Sequence, residues 1–477
     1  MILPEQGLTP DQIDQALAQY KEHDISWRDG LVLAYVYDAG PEAEQVLKNA
    51  FLEFLTENAL DPSTFPSTMQ MERQVVRITA DLLQGDQEVV GHFTTGGTES
   101  IMLAVKTARD WARAHRPAVK EPEMILSRTA HPAFHKAAHY LGLKLVIVPF
   151  DEETYKSDVA AMRAAINENT ILLVASAPNY SHGVIDPVPE IAALAQDHDL
   201  LCHVDACIGG FQLAFMRQIG YNVPPFDFSV PGVTSISADL HKYGYAAKGA
   251  SVLLHLNREL RRFQIYANLS TTVYAVVNPT VLSTKSGGPL AASWAILHYF
   301  GQSGYRKIAR EVMETTAKLI AGINAQPDLH VLGQPDMCIF SFESDTINVF
   351  QLADVMKKKG WYLQPQYSKT PTLKPNIHIT VTLSTTPLTD IFLDDLAQAI
   401  EEVKTIPPLD INVVKQQVDL LLQSMPQDEI ASAFYNLVGI QGSQLPGDMA
   451  LVSTVISVLP PPIAEEMLRE YFNDLYV

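Results

Sequence analysis

The chain has 477 residues, 47% of them hydrophobic and 18% charged, an ordinary balance for a globular protein with more than one domain and a sizeable core. A formal net charge of −20, without any clustered run of Lys and Arg, argues against a surface built for nucleic acid. Three cysteines (Cys202, Cys207 and Cys338) with no CxxC spacing argue against a disulfide framework or a structural zinc site, and they suit a reducing compartment.

Residues 1–60 read as a helical, acidic N-terminal segment. Thr9 is placed to cap a helix with Pro10 at its first position and Ile13 and Leu17 on one face. The start, MILPEQGLTPDQIDQAL, has no basic region followed by an apolar stretch. The apolar runs LKLVIVPF and ILLVASAP are too short to span a bilayer. Together these predict a cytoplasmic protein without a transmembrane anchor.

Residues 61–300 read as a large domain. Buried strands are expected over 124–127, 144–148, 171–175, 200–204, 235–238 and 251–255, and amphipathic helices over 101–114, 133–141, 157–166 and 188–197. In the first helix Ile101, Ala104, Val105, Ala108 and Trp111 share a face. Strand–helix alternation at this spacing predicts an α/β fold with a mostly parallel central sheet and helices on both faces. Ligands of such sheets sit beyond the carboxyl ends of the strands. Residues 301–477 read as a smaller α+β C-terminal domain. It should hold a helix over 305–323, short strands including 376–382, and a helical end interrupted by Pro460, Pro461 and Pro462.

The residues that follow the strands carry the chemistry. Lys242, in SADLHKYGY, comes directly after an expected strand. A lysine that forms a Schiff base needs surroundings that lower its pKa, an acid for the cofactor's ring nitrogen, and a cradle for a phosphate. Asp205, in HVDACIGG, could pair with a protonated pyridine nitrogen. The run TTGGTES (94–100) opens a helix, where glycines admit an anion to free N–H groups and Thr98 adds a hydroxyl. His131 could stack on a planar ring. Each has an ordinary reading: a surface lysine, a helix-capping Asp, a Gly-rich helix start, a structural His. Their order, each just past a successive strand, carries the combined reading.

These motifs resemble the group II pyridoxal-phosphate-dependent decarboxylase superfamily and, within it, the sphingosine-1-phosphate lyase family. The blocks that carry the resemblance are GGTESIMLAVK (96–106), HGVIDPVPE (182–190), HVDACIGGF (203–211), SADLHKYGYAAKG (237–249) and SGGPLAASWA (286–295). The resemblance implies the fold type I architecture of pyridoxal-phosphate enzymes. It implies that Lys242 forms the Schiff base with pyridoxal 5'-phosphate, that Asp205 pairs with the ring nitrogen, and that His131 stacks on the ring. Gly97, Thr98 and His241 match positions around the phosphate. Lys248 and Tyr37 match a lysine and a tyrosine of the catalytic step. The family completes its site from a second subunit of a homodimer through a GSRPGG segment; here STKSGG (283–288) sets Thr284 in place of the phosphate-binding Ser and Lys285 in place of Arg.

One further departure concerns the substrate: Asp61, in NALDP, stands where the family has a His, and a carboxylate there would repel a phosphorylated substrate. The expected activity is retro-aldol cleavage of a phosphorylated, lipid-like long-chain base to a fatty aldehyde and phosphoethanolamine. Group II amino-acid decarboxylation is the alternative. A catalytically silent homologue is a third reading, against which intact Lys242, Asp205, Thr98 and His131 speak. No metal is expected.

Overall fold

The computed structural model describes residues 3–61, 63–270, 275–367, 373–426, 430–440 and 446–476. Helices α1 (Pro10–Tyr20), α2 (Pro41–Glu53) and α3 (Pro66–Leu82) precede the main sheet. α1 begins as expected: the Thr9 hydroxyl accepts from the Gln12 N–H at 3.3 Å, and the Gln12 side chain accepts from the Thr9 N–H at 2.9 Å. Yet no residue of α1 is buried, and Ile13 and Leu17 stay 46% and 55% exposed. The apolar face is not covered by the described residues.

Seven strands form the main sheet: β1 (Val90–Thr94), β2 (Glu123–Ser127), β3 (Lys144–Val148), β4 (Thr170–Ser176), β5 (Leu201–Asp205), β6 (Ser235–Ala238) and β7 (Ser251–His255), in the order β1-β7-β6-β5-β4-β2-β3. β2 to β6 pair in parallel, whereas β7 runs antiparallel to both of its neighbours. β2, β4, β5, β6 and β7 are buried at every residue, the pattern of strands covered on both faces. Side chains of alternate residues enter two separate cores. Met124, Leu126, Leu172 and Val174 meet α4 (Gly97–His115) and α5 (Ala133–Leu141) on one face. Ile125, Leu173, Ala175, Cys202 and Val204 face the other core, with α3, α6 (Val159–Ala165), α7 (Val188–Asp197) and α8 (Gly209–Gln218). The short α9 (Arg258–Arg261) and the hairpin β8 (Tyr266–Asn268) and β9 (Val276–Asn278) follow β7.

Three of the differences from the expected elements bear on the strand ends. β1 is a strand although VGHFT shows no clear apolar period. α4 starts at Gly97, so the glycine cradle is its first turn rather than a loop before it. α8 follows Asp205 after a short turn.

The long α10 (Gly287–Asn324) is broken at Gly301, where φ is 54°. A second, antiparallel sheet holds β10 (His330–Val331), β11 (Ile339–Glu343), β12 (Gln364–Gln366) and β13 (Asn376–Thr380) in the order β10-β11-β13-β12, flanked by α11 (Val349–Lys358) and α12 (Thr389–Thr405). The expected strand over 376–382 thus ends at Thr380. Residues 31–33 run beside this sheet: the Leu33 N–H donates to the Tyr362 carbonyl, and the Thr380 N–H donates to the Leu33 carbonyl. That course delivers Tyr35 and Tyr37 towards the ends of the main-sheet strands. Four last helices, α13 (Ile411–Ser424), α14 (Ile430–Val438), α15 (Ala450–Val458) and α16 (Pro461–Leu475), enclose an apolar cluster of their own around Val418, Phe434 and Val455. The Asp354 carboxylate ties it to α11 by accepting from the Met449 and Ala450 N–H groups at 2.9 and 2.7 Å, at the start of α15. Among the described residues no helix is long and apolar enough to cross a membrane.

Candidate active site

A cavity of ≈ 360 Å³ opens at the carboxyl ends of the parallel strands, where a twisted α/β sheet leaves its crevice. Six of the expected residues line it: Gly97, Thr98, His131, Asp205, His241 and Lys242. They arrive from the ends of β1, β2, β5 and β6. Asp239 and Tyr180 line it as well, and neither was expected from sequence.

The anion cradle is the first turn of α4. A Cβ at position 97 would lie 2.8 Å from Asp239 Oδ2 and 2.9 Å from Cys207 Sγ, so only glycine lets the turn approach this closely. Glu99 braces the turn. Its Oε2 accepts from the Thr95 N–H at 2.6 Å, and its Oε1 accepts from the Val281 N–H at 2.7 Å. The His241 Nδ1 accepts from the Ala250 N–H at 3.0 Å, which leaves its Nε2 as the donor. Burial pulls the His241 imidazole down to about 4, so the ring is neutral.

Asp205 ends β5 and is 7% exposed. Its Oδ1 accepts from the Cys207 N–H at 3.1 Å, with the Ser237 hydroxyl 3.4 Å away. Behind Ser237 lies His203, whose ring nitrogens meet the Ser237 and Ser235 hydroxyls at 3.3 and 2.9 Å. Asp205 Oδ2 has no hydrogen bond among the described residues and is left for whatever occupies the cavity. His131 accepts from the Ala133 N–H through Nδ1 at 3.1 Å. Its ring is open to the cavity on one side, and the surrounding protein lowers its pKa, which keeps it neutral.

Lys242 Nζ lies 3.0 Å from Asp239 Oδ2. The expectation of a lysine with a lowered pKa is overturned here. Burial does pull the ammonium down, but Asp239, with Asp205 adding more weakly, outweighs it, and the net shift is upward. Asp239 itself is held down by Lys242 and His241 against the opposing effect of burial.

Lys248 and Tyr37 form a rim beside the cavity. Lys248 Nζ donates to the carbonyls of Tyr35 and His241 at 3.0 and 3.3 Å and stands 5.0 Å over the Tyr37 ring. Tyr35 holds φ at 59°, a left-handed conformation that turns its carbonyl to this use. Solvent reaches the Lys248 side chain, yet its head is hemmed in; that burial, then repulsion from Lys242, lowers it to about 8. Burial raises the Tyr37 phenol. On the opposite wall the Tyr180 hydroxyl donates to Gln364 Oε1 at 2.7 Å, and its ring stacks on His378 with centroids 4.2 Å apart.

Thr284 is exposed and lies outside this cavity. Lys285, which stands where the family has Arg, points inward: it is 4% exposed, and its Nζ donates to both Glu72 oxygens at 2.7 Å and to the Phe93 carbonyl at 3.2 Å. Asp61 is exposed and lines a second, larger cavity of ≈ 1510 Å³ bounded also by Arg73, Arg258 and Arg261. Its carboxylate accepts from the Ser63 N–H and hydroxyl at 2.8 and 2.6 Å, closing a local turn.

The arrangement fits pyridoxal phosphate. A lysine amine, a free carboxylate oxygen, a neutral imidazole and an N-terminal helix turn converge on one cavity, matching the aldehyde, ring nitrogen, ring face and phosphate of that cofactor. The signal for Asp239 was its place three residues before the lysine on the same strand end. The signal for Tyr180 was its place directly after β4.

Residues 6–344 match the profile described as the pyridoxal-dependent decarboxylase conserved domain, and residues 414–474 match one described as a C-terminal HTH domain of pyridoxal-dependent enzymes. The chain is 41% identical over 414 residues to the sphingosine-1-phosphate lyase of Oryza sativa subsp. japonica, covering 85% of this chain and 75% of that one. It is 38% identical over 411 residues to sphingosine-1-phosphate lyase 1 of Rattus norvegicus, covering 85% and 70%. Among solved structures, a sphingosine-1-phosphate lyase of Burkholderia pseudomallei superposes with a TM-score of 0.81 at 34% identity, covering 89% of this chain and 98% of that one. A glutamate decarboxylase of Lactobacillus brevis superposes with a TM-score of 0.76 at 22% identity, a likeness of fold.

Proposed function

The chain belongs to the pyridoxal-dependent decarboxylase family, and on that premise we propose that it is a carbon–carbon lyase that cleaves a phosphorylated long-chain base to a fatty aldehyde and phosphoethanolamine. The cofactor is pyridoxal 5'-phosphate. The observation that carries the substrate reading is the likeness to sphingosine-1-phosphate lyases across 85% of the chain, which takes in the lysine block and Lys248.

Each residue has a task that its surroundings allow. Lys242 makes the covalent link to the cofactor. Gly97, Thr98 and the neutral His241 receive the phosphate at the start of α4. Asp205, oriented from behind by Cys207 and Ser237, keeps a proton on the ring nitrogen. His131 would lie against the face of the ring. The cofactor, when bound, supplies a sink for the electrons of the bond that breaks. The chain then needs a group to take the proton from the substrate's hydroxyl. Lys248, at about 8, is partly a free amine near neutral pH and can accept it. Tyr37, raised by burial, stays protonated and serves as a donor. Tyr180 lines the cavity that holds Lys242.

The site is completed by a second copy of the chain. Thr284 is exposed, sits between Ser283 and Lys285 of the larger cavity, and lies outside the smaller one, which supports a role toward a partner's phosphate rather than its own. The reading is tested by offering purified protein a phosphorylated long-chain base beside a panel of amino acids, with products followed by mass spectrometry. Release of aldehyde and phosphoethanolamine is expected; carbon dioxide from an amino acid, with no aldehyde, would make the protein a decarboxylase.

A further inference from the structure

Asp239 is a buried carboxylate to which the proposed reaction assigns nothing. It follows β6 directly and is 2% exposed. Its Oδ2 lies 3.0 Å from Lys242 Nζ and 3.5 Å from His241 Nε2. Its Oδ1 is buried and receives no donor at hydrogen-bonding geometry, the nearby Ser251 hydroxyl donating to the Ala238 carbonyl at 3.3 Å instead. A carboxylate half-satisfied in this way costs stability, and an apolar side chain would fill the space at lower cost. The glycine at 97 keeps that space open. Both features are explained if the carboxylate serves the lysine.

We propose that Asp239 is the resting partner of Lys242: it holds the lysine amine protonated whenever that amine is not covalently engaged, and so sets the pH at which the amine becomes free to attack an aldehyde. This rests on the reading of Lys242 as the cofactor lysine. The groups facing the amine come from every side: Asp205 and Cys207 after β5, Tyr37 from the N-terminal segment, His131 after β2 and Tyr180 after β4. His241 and Lys248 share its own loop. Burial pushes the Cys207 thiol and the Tyr37 phenol up, so both are neutral at ordinary pH. His131 and His241 are neutral because burial lowers them. Lys248 repels the ammonium. Asp239 is the strongest of the opposite charges acting on it.

The chemistry follows. Ammonium and aldehyde give a protonated imine and one water, with no net change in protons. The attacking species is the neutral amine, so the proton must leave nitrogen before the carbon–nitrogen bond forms, and it returns to the imine nitrogen afterwards. Asp239 therefore slows capture of the cofactor at neutral pH. When a substrate amine has displaced the lysine, the same ion pair keeps Lys242 from attacking back.

The test uses the full-length chain stripped of cofactor and mixed with pyridoxal phosphate, the visible absorbance of the imine being followed from about pH 6 to about pH 10. In the wild type the capture rate should still be climbing above pH 8. Asp239→Asn should capture roughly 10- to 1000-fold faster at pH 7 and level off at lower pH, as expected for losing one opposite charge at this distance. Asp239→Ser, a smaller neutral side chain, should do the same. Wild-type capture that levels off at or below about pH 8, or a folded variant with an unchanged profile, would overturn the proposal. If neither variant folds, wild-type capture that levels off below about pH 10.4, the value of an ordinary lysine, overturns the proposal. Lys242→Ala is the separate control: imine formation that survives it sinks the lysine assignment itself and leaves Asp239 without a role.

Discussion

Replacing Lys285 with Met should destabilise the fold in a way that acid reveals. Its ammonium is enclosed by the two Glu72 oxygens and the Phe93 carbonyl. Burial works against the Glu72 carboxylate, yet Lys285 and the nearby His92 win, and Glu72 falls from 4.5 to about 2. That difference is worth about 3 kcal/mol at neutral pH. Because the folded value is the lower one, the contribution is complete above 4.5 and is lost as the pH falls towards about 2. Lys285→Met leaves a buried carboxylate without its cation, a loss of about 3–5 kcal/mol at pH 7. Burial then raises the carboxyl, so the deficit should shrink as acid protonates it. Thermal unfolding followed by circular dichroism at pH 7 and below pH 5 measures both effects, and Lys285→Arg should recover most of the loss. A deficit under about 1 kcal/mol at neutral pH, or a gap to wild type that does not narrow in acid, would refute the reasoning.

Lys248→Ala should lower kcat by roughly 10²- to 10⁴-fold while leaving the visible absorbance of the bound cofactor in place. Wild-type activity should rise with pH through about 8, since the free amine is the working form, and that limb should vanish in the variant. An unchanged limb would move the proton transfer to another group. Subunits carrying Lys242→Ala mixed with subunits carrying Thr284→Ala should regain activity, because one of the two sites in each mixed dimer then has both residues intact. Verified mixed dimers with no recovery would mean that Thr284 serves no partner.

Much of the sheet was legible because strands covered on both faces are largely apolar. The runs 235–238 and 251–255 coincide with β6 and β7, and 144–148 with the partly exposed edge strand β3. Direction was not legible: an all-buried strand reads the same either way, so nothing in SVLLH marks β7 as reversed. β1 was hidden by Gly91 and His92, which break its apolar pattern. In the site, Lys242, Asp205 and Gly97 were picked out by type and place, and the structure brings them to one cavity. Asp239 was not, since its meaning depends on a distance to Lys242 and on an oxygen without a partner. The burial of Lys285 was not legible either, since the Glu72 that draws it inward is far away in sequence.

Glu99 joins two things that sequence keeps apart. One of its oxygens shapes the turn that receives the phosphate, and the other holds the backbone at Val281, three residues before Thr284. If Thr284 serves a partner's site as proposed, thermodynamic reciprocity binds the two events: whatever tightens the cradle steadies the arm offered to a neighbour, and the converse holds with the same coupling. Vitamin loading and pairing of chains should rise and fall together, so that diluting the protein loosens its coenzyme and starving it of coenzyme loosens the pair.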